Sequence, residues 1–249
     1  MMSSLSRRCL YPRQKGLFGL ISCRWYSSPP KVDYPPSVLQ LQVGKIVHCQ
    51  NHPNSNFLYV ANVLVNDVEK AKLEEIKKDL QALKPDELEV NNMDVITILT
   101  GLVDIVPLEE MIDRNIIVLK NLKPRVLRGI KSNGMLLATE VSKLAENKSE
   151  SESEVKKDWS NVKVEPIYPP LSSNLGDELF FKPFVRDENE PIKSLRGRST
   201  LVKSVFAKFR INNDHKFIYK HDDTEIPLTS LHDDNSSAYT KDIKNSIVH

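Results

Sequence analysis

The chain has 249 residues, of which 40% are hydrophobic and 27% charged, the balance of an ordinary globular protein. Charges interrupt even the Leu17 to Ile21 cluster, so no window approaches the roughly 20 apolar residues of a membrane-spanning helix, and no membrane contact is expected. The formal charge of +2 is unevenly spread, because the first 32 residues hold Arg7, Arg8, Arg13, Lys15, Arg24 and Lys31, with no Asp or Glu before Asp33.

That composition is the one expected of a mitochondrial transit peptide over residues 1–26, since acidic residues would oppose both the membrane potential and the import receptors. Arg24-Trp25-Tyr26-Ser27-Ser28 resembles the junction cut by the matrix processing peptidase, and the expected location is the mitochondrial matrix. The competing reading is a basic tail that touches RNA directly. Cleavage removes five basic residues and no acidic one, turning +2 into −3, so any nucleic-acid surface must come from local clustering of charge. Cys9 and Cys23 leave with the leader. Cys49 then stands alone, which excludes a disulfide framework and a cysteine-based zinc site within one chain.

Residues 27–37 carry four prolines and read as an extended leader. From Val38 the apolar pattern is one of short strands: Leu39-Leu41-Val43, Ile46-Val47, Phe57 to Val65, Val95 to Leu99, Ile116 to Leu119 and Met135 to Ala138. Turn signals at His52-Pro53-Asn54-Ser55, Lys123-Pro124 and Asn133-Gly134 separate them. With one short helical piece, Leu108 to Ile112, this predicts a mainly all-β chain built on a small closed barrel.

Residues 67–92 read as an insertion. Leu73, Ile76, Leu80 and Leu83 form one apolar stripe on a charged helix of about three turns, which either packs on the barrel or docks a protein partner. Residues 142–160, with Glu146 to Glu154 polar throughout, read as a flexible loop inside a hairpin connection.

Several stretches resemble one family, the tRNA-binding domain of endothelial monocyte-activating polypeptide II, of methionyl- and tyrosyl-tRNA synthetases and of free-standing synthetase cofactors. They are Leu41-Gln-Val-Gly-Lys-Ile46, His52-Pro53-Asn54-Ser55-Asn56-Phe57-Leu58-Tyr59-Val60, Thr100-Gly101-Leu102-Val103, Asn121-Leu122-Lys123-Pro124 through Arg128-Gly129, and Ser132-Asn133-Gly134-Met135-Leu136-Leu137-Ala138. The resemblance implies an OB-fold, a five-stranded Greek-key barrel, over residues 38–180. It continues weakly into an extension over residues 181–249 with a frayed tail, understood to pack on the barrel where simpler relatives dimerise, so that a monomer is expected. Ser55-Asn56, the insertion and the tail after Asp187 depart from the family pattern.

Two stretches concentrate positive charge without acids. The first holds Lys120, Lys123, Arg125, Arg128 and Lys131, to which Lys45 is added, and Asn121, Ser132 and Asn133 offer amide and hydroxyl groups to sugars or base edges. The second holds Lys193, Arg196, Arg198, Lys203, Lys208 and Arg210, for which a solvated face and an RNA surface are equally good readings. Tyr59 or Phe57 is a candidate stacking platform, although Tyr59 sits in an apolar strand and suits a core. His48 and His52 lack a third ligand at metal spacing and read as groove or turn residues, so no metal is expected.

Synthetase nucleotide motifs, a phosphate-binding Gly-rich loop and a catalytic triad pattern are all missing from the sequence, and neither catalysis nor a cofactor is expected. The expectation is a non-catalytic protein that holds tRNA by shape and phosphates and presents it to a synthetase or processing enzyme. The alternatives are a protein-docking or chaperone-like module using the inserted helix, and a binder of another mitochondrial RNA.

Overall fold

Five strands close on themselves in the computed structural model, which describes residues 34–83, 87–142, 162–187 and 189–249. The expected transit peptide, most of the Pro-rich leader and the polar loop after Ser142 lie outside these residues. The first half runs β1 (Leu41–Asn51), β2 (Tyr59–Leu64), α1 (Lys70–Gln81), β3 (Val95–Thr100), α2 (Leu108–Met111), β4 (Asn115–Leu119), β5 (Arg125–Leu127), β6 (Ile130–Ser132) and β7 (Met135–Leu136).

Strand β1 is long enough to serve two neighbours on different walls. Residues 41–45 pair antiparallel with β4 and residues 45–51 with β2, with a register shift between Ile46 and His48 where the strand coils. Gly44 allows this close approach: a Cβ there would lie 2.8 Å from Val63 Cγ1 and 3.0 Å from Val118 Cγ2. Strand β3 pairs with β2, and β7 with β4. The barrel closes where Asn133 N donates to Thr97 O at 2.9 Å and Leu99 N donates to the Ser132 hydroxyl at 3.1 Å. Ile46, Tyr59, Ala61, Val63, Ile98, Ile116, Val118 and Leu136 fill the interior, and Met111 of α2 is buried among them. This is the expected OB-fold barrel.

The second half supplies β8 (Ala138–Ser142), β9 (Val162–Pro166), β10 (Glu178–Phe181), α3 (Thr200–Phe206), β11 (Phe209–Ile211), β12 (Phe217–His221), β13 (Thr224–Ser230) and β14 (Ser246–Val248). Strand β10 pairs with β1 through Leu41↔Leu179, and the sheet continues in the order β10, β13, β12, β11, β14, β8, β9. Its inner face meets the outside of the barrel. Ile116 and Val118 point into the barrel, whereas Ile117 and Leu119 point outward into a second core with Phe181, Phe209, Phe217 and Tyr219. Strand alternation thus turns one continuous apolar run into the floor of two cores. Within the second core the Phe181 and Phe209 rings are 5.2 Å apart, and Phe209 meets Phe217 edge-on at 5.1 Å, both favourable aromatic geometries.

Two expectations need correction. The leader is not extended as far as residue 37, because Pro36–Val38 forms a short 3-10 turn in which Pro36 is buried, and Tyr34 and Val38 pack on the second core. The tail is not frayed, because Ser246–Val248 forms β14, which pairs with β11 and β8. For the inserted helix, the reading in which it packs on the barrel is the one the structure shows. Its Glu, Lys and Leu composition favours a helix, and the stripe then has an obvious place to go. Leu80 is buried against Val47, Leu64 and Val95, with Leu73, Ile76 and Leu83 half-buried beside it. Burying one leucine stabilises by about 1.5–3 kcal/mol, so this face is a component of the fold.

Candidate nucleic-acid interface

The stretch after β4, expected as a loop, is a hairpin. Arg125↔Ser132, Val126↔Lys131 and Leu127↔Ile130 pair across two residues, Arg128 and Gly129, whose φ values are +53° and +101°. Positive φ at both positions gives a turn of the hand that matches strand twist, and glycine at the second removes most of its strain. The tight turn is therefore Arg128-Gly129, not Asn133-Gly134. An Arg-Gly pair between the β-branched-containing tripeptides Arg125-Val126-Leu127 and Ile130-Lys131-Ser132 is the signal that could have revealed it.

Neighbouring loops hold the hairpin. His52, at the tip of β1, donates from Nε2 to Leu127 O at 3.2 Å, while its Nδ1 accepts from Asn54 N at 3.0 Å. His52 is thus a turn residue. No group of three or more His, Cys, Asp or Glu that could hold a metal occurs among the described residues.

On its other side the hairpin base is stapled to the extension. Leu122 bridges Leu195, Lys123 N donates to Leu195 O at 2.7 Å, and Leu195 N donates to Asn121 O at 2.8 Å. This brings Arg196 and Arg198 across from Lys123 and Arg125. A groove of about 540 Å³ lies between them, with Leu99, Leu122, Leu127 and Met135 among its walls and no carboxylate. No ion pair within the described residues holds Lys123, Arg125, Arg128, Arg196 or Arg198, and all five are exposed.

The remaining candidates go elsewhere, each for a visible reason. Tyr59 is not a stacking platform: it is 5% exposed, inside the barrel, and its hydroxyl donates to Val106 O at 3.1 Å. Burial is also the first reason its phenol pKa is raised. Phe57, 76% exposed on the β1–β2 loop, is the aromatic that solvent can reach. Asn121 is a structural staple, donating to Val38 O at 2.9 Å and Lys193 O at 3.1 Å and accepting from Gln40 N at 3.0 Å. Ser132 spends its hydroxyl on Leu99 N and Gly134 O. The Asn133 amide is enclosed, has no partner among the described residues and does not line the groove.

Lys45 lies in the middle of β1, 3.4 Å from Asp113, and Lys131 faces Glu89 at 3.7 Å. Lys120 is half-buried, and burial holds its ammonium below the usual lysine range, opposed by the charge of Glu178. The second cluster divides. Lys193 and Lys203 do not line the groove; Lys208 lies over the Tyr219 ring at 5.4 Å, and Arg210 donates to Phe209 O at 2.6 Å.

A family model described as "Putative tRNA binding domain" matches residues 67–163. The cytoplasmic tyrosine–tRNA ligase of Xenopus tropicalis is 29% identical over 188 residues, which cover 76% of this chain and 27% of that enzyme. The tRNA-aminoacylation cofactor arc1 of Schizosaccharomyces pombe is 28% identical over 186 residues, 74% of this chain and 32% of the cofactor. Thus the chain spans about a quarter to a third of the length of these two relatives. Among solved structures, the C-terminal domain of Plasmodium vivax p43 superposes with a TM-score of 0.58 at 18% identity, covering 88% of this chain and all of that domain, a likeness of fold.

Proposed function

We propose, on the premise that this chain carries a domain of the tRNA-binding family shared with synthetase C-terminal domains and synthetase cofactors, that it is a non-catalytic tRNA-holding protein of the mitochondrial matrix. The observation that carries the reading is the groove in which Lys123 and Arg125 meet Arg196 and Arg198 of the extension with no carboxylate in its lining, beside a braced hairpin whose turn exposes Arg128. Arginine forks pair with phosphate oxygens bidentately and lysine adds point charge. Each neutralised phosphate releases counterions, so binding should be strong at low salt and weaken steeply as salt rises.

The barrel grips the outside of a folded tRNA by shape and phosphates and raises its concentration at a synthetase or processing enzyme, which would be the protein partner. A monomer fits this reading, because the outer faces of β1 and β4 are already covered by the extension. The acid-free, basic composition of the first 26 residues supports mitochondrial import.

The test is tRNA binding by the full chain across a salt series, beside a variant with Lys123, Arg125 and Arg128 all changed to alanine, with ribosomal and messenger RNA as competitors. The expected result is preference for tRNA, and a log–log salt slope shallower in the variant by about two to three. Binding indifferent to the triple change would defeat the assignment. For location, a C-terminally tagged chain should be recovered in mitochondria with its amino terminus near Ser27; a cytosolic, uncut protein would contradict import.

A further inference from the structure

A surface that only tracks the phosphates of a duplex needs cations but no apolar cleft, because paired bases keep their faces stacked inside the helix. The groove beside the hairpin is built differently. Leu99, Leu122, Leu127 and Met135 contribute an apolar floor, and the charges of Lys123, Arg125, Arg196 and Arg198 stand around it. Its volume of about 540 Å³ falls within the usual range for small-ligand sites. Both walls are braced, one by the His52 to Leu127 and Ser132 to Leu99 hydrogen bonds, the other by Lys123 N to Leu195 O. The cleft is therefore part of the resting fold.

An apolar cleft ringed by cations and free of carboxylates is complementary to a flat base joined to an anionic backbone. We infer that this groove seats one unpaired RNA nucleotide, its base on the Leu122–Met135 floor and its flanking phosphates on the Arg125 and Arg196–Arg198 rims. The inference rests on the RNA-binding reading above and adds that the bound part of the RNA is a loop or bulge, not only a helix surface. The thioether of Met135 and the leucine methyl groups give a base face favourable contacts without reading its edge, so the site tolerates different bases.

Gly197 offers a way to fill the groove and keep every cation. Its φ is not in the left-handed region, and the nearest atom an added Cβ would meet is Leu122 Cδ1 at 3.8 Å. The experiment compares wild type and Gly197→Phe with two RNAs of one stem sequence, a stem closed by a loop of about eight nucleotides and a fully paired duplex. Wild type should prefer the looped RNA, and Gly197→Phe should lose about tenfold in affinity for it, with duplex binding and melting temperature unchanged.

A fluorescent purine analogue in the loop should change its emission on binding wild type, which tests the inference even should the variant misfold. Unchanged emission at saturation, equal affinity of wild type for both RNAs, or equal loss of both in a folded Gly197→Phe variant overturns it. A Lys123→Ala/Arg125→Ala variant separates the two levels. If it binds every RNA like wild type, the phosphate-gripping reading itself falls; if it weakens both RNAs while Gly197→Phe changes neither, only the nucleotide pocket falls.

Discussion

Cations occur on two regions of the barrel, and they differ in what surrounds them. Around α1 three of them are already answered: Lys45 and Lys77 share Asp113 at 3.4 and 3.1 Å, and Lys72 meets Asp94 at 2.7 Å. Beside the β5–β6 hairpin, Lys123 and Arg125 face Arg196 and Arg198 across a cleft without a carboxylate, and Arg128 is exposed at the hairpin's turn. A polyanion approaching α1 must displace or approach existing carboxylates, whereas at the hairpin it supplies the missing countercharge. The lesson is that the pairing state of basic residues, more than their number, marks a phosphate-seeking surface.

The largest expected effect that separates these regions is on stability. Leu80→Ala should destabilise by about 2–4 kcal/mol in urea unfolding, because it opens a cavity between α1 and the barrel. Its RNA affinity should be unchanged under conditions where it is folded; a selective loss of RNA binding would make α1 part of the site. Next comes Arg196→Ala with Arg198→Ala, which should cost about 1–2 kcal/mol in RNA binding, some five- to thirtyfold, while stability moves by no more than about 0.5 kcal/mol. Unaltered binding there would confine the interface to the hairpin.

The smallest effect concerns pH. The Lys77 ammonium, hydrogen-bonded to Asp113, is the main cause holding that carboxyl below its usual range, with Lys45 adding to it. A carboxyl whose folded pKa is depressed contributes stability above its unfolded pKa and loses it as pH falls through the folded value. Lys77→Met should therefore narrow the gap in stability between neutral and acid pH, by about 0.5 kcal/mol or less since Asp113 is half exposed. An unchanged pH profile would mean that the pair at α1 has no energetic weight.

Much of the barrel was legible because its signals are local. The apolar runs at Tyr59 to Leu64, Val95 to Leu99 and Ile116 to Leu119 are strands, and the Leu73 to Leu83 stripe is a helix, since periodicity needs only neighbouring residues. What Ile117 and Leu119 bury was not legible, as it depends on strands that reach as far along the chain as Val248. The site follows the same rule. Lys123 and Arg125 stood out by composition, but their juxtaposition with Arg196 and Arg198 depends on the Leu122–Leu195 bridge. Asn121 and Ser132 belong to the most distinctive motifs, yet their side chains are spent on backbone groups. A motif reports that a residue matters without saying whether it holds the loop or the ligand.

The most direct measurement is a matched pair of charge removals. Lys123, Arg125 and Arg128 are changed to alanine in one protein and Lys45, Lys72 and Lys77 in another, so that net charge falls equally, and tRNA binding is followed across one salt series. The hairpin variant should lose at least about tenfold in affinity at moderate salt and show a slope shallower by about two to three, while the α1 variant stays within about twofold of wild type. Equal losses in the two variants would show that overall charge governs binding, contradicting the claim that a defined groove does.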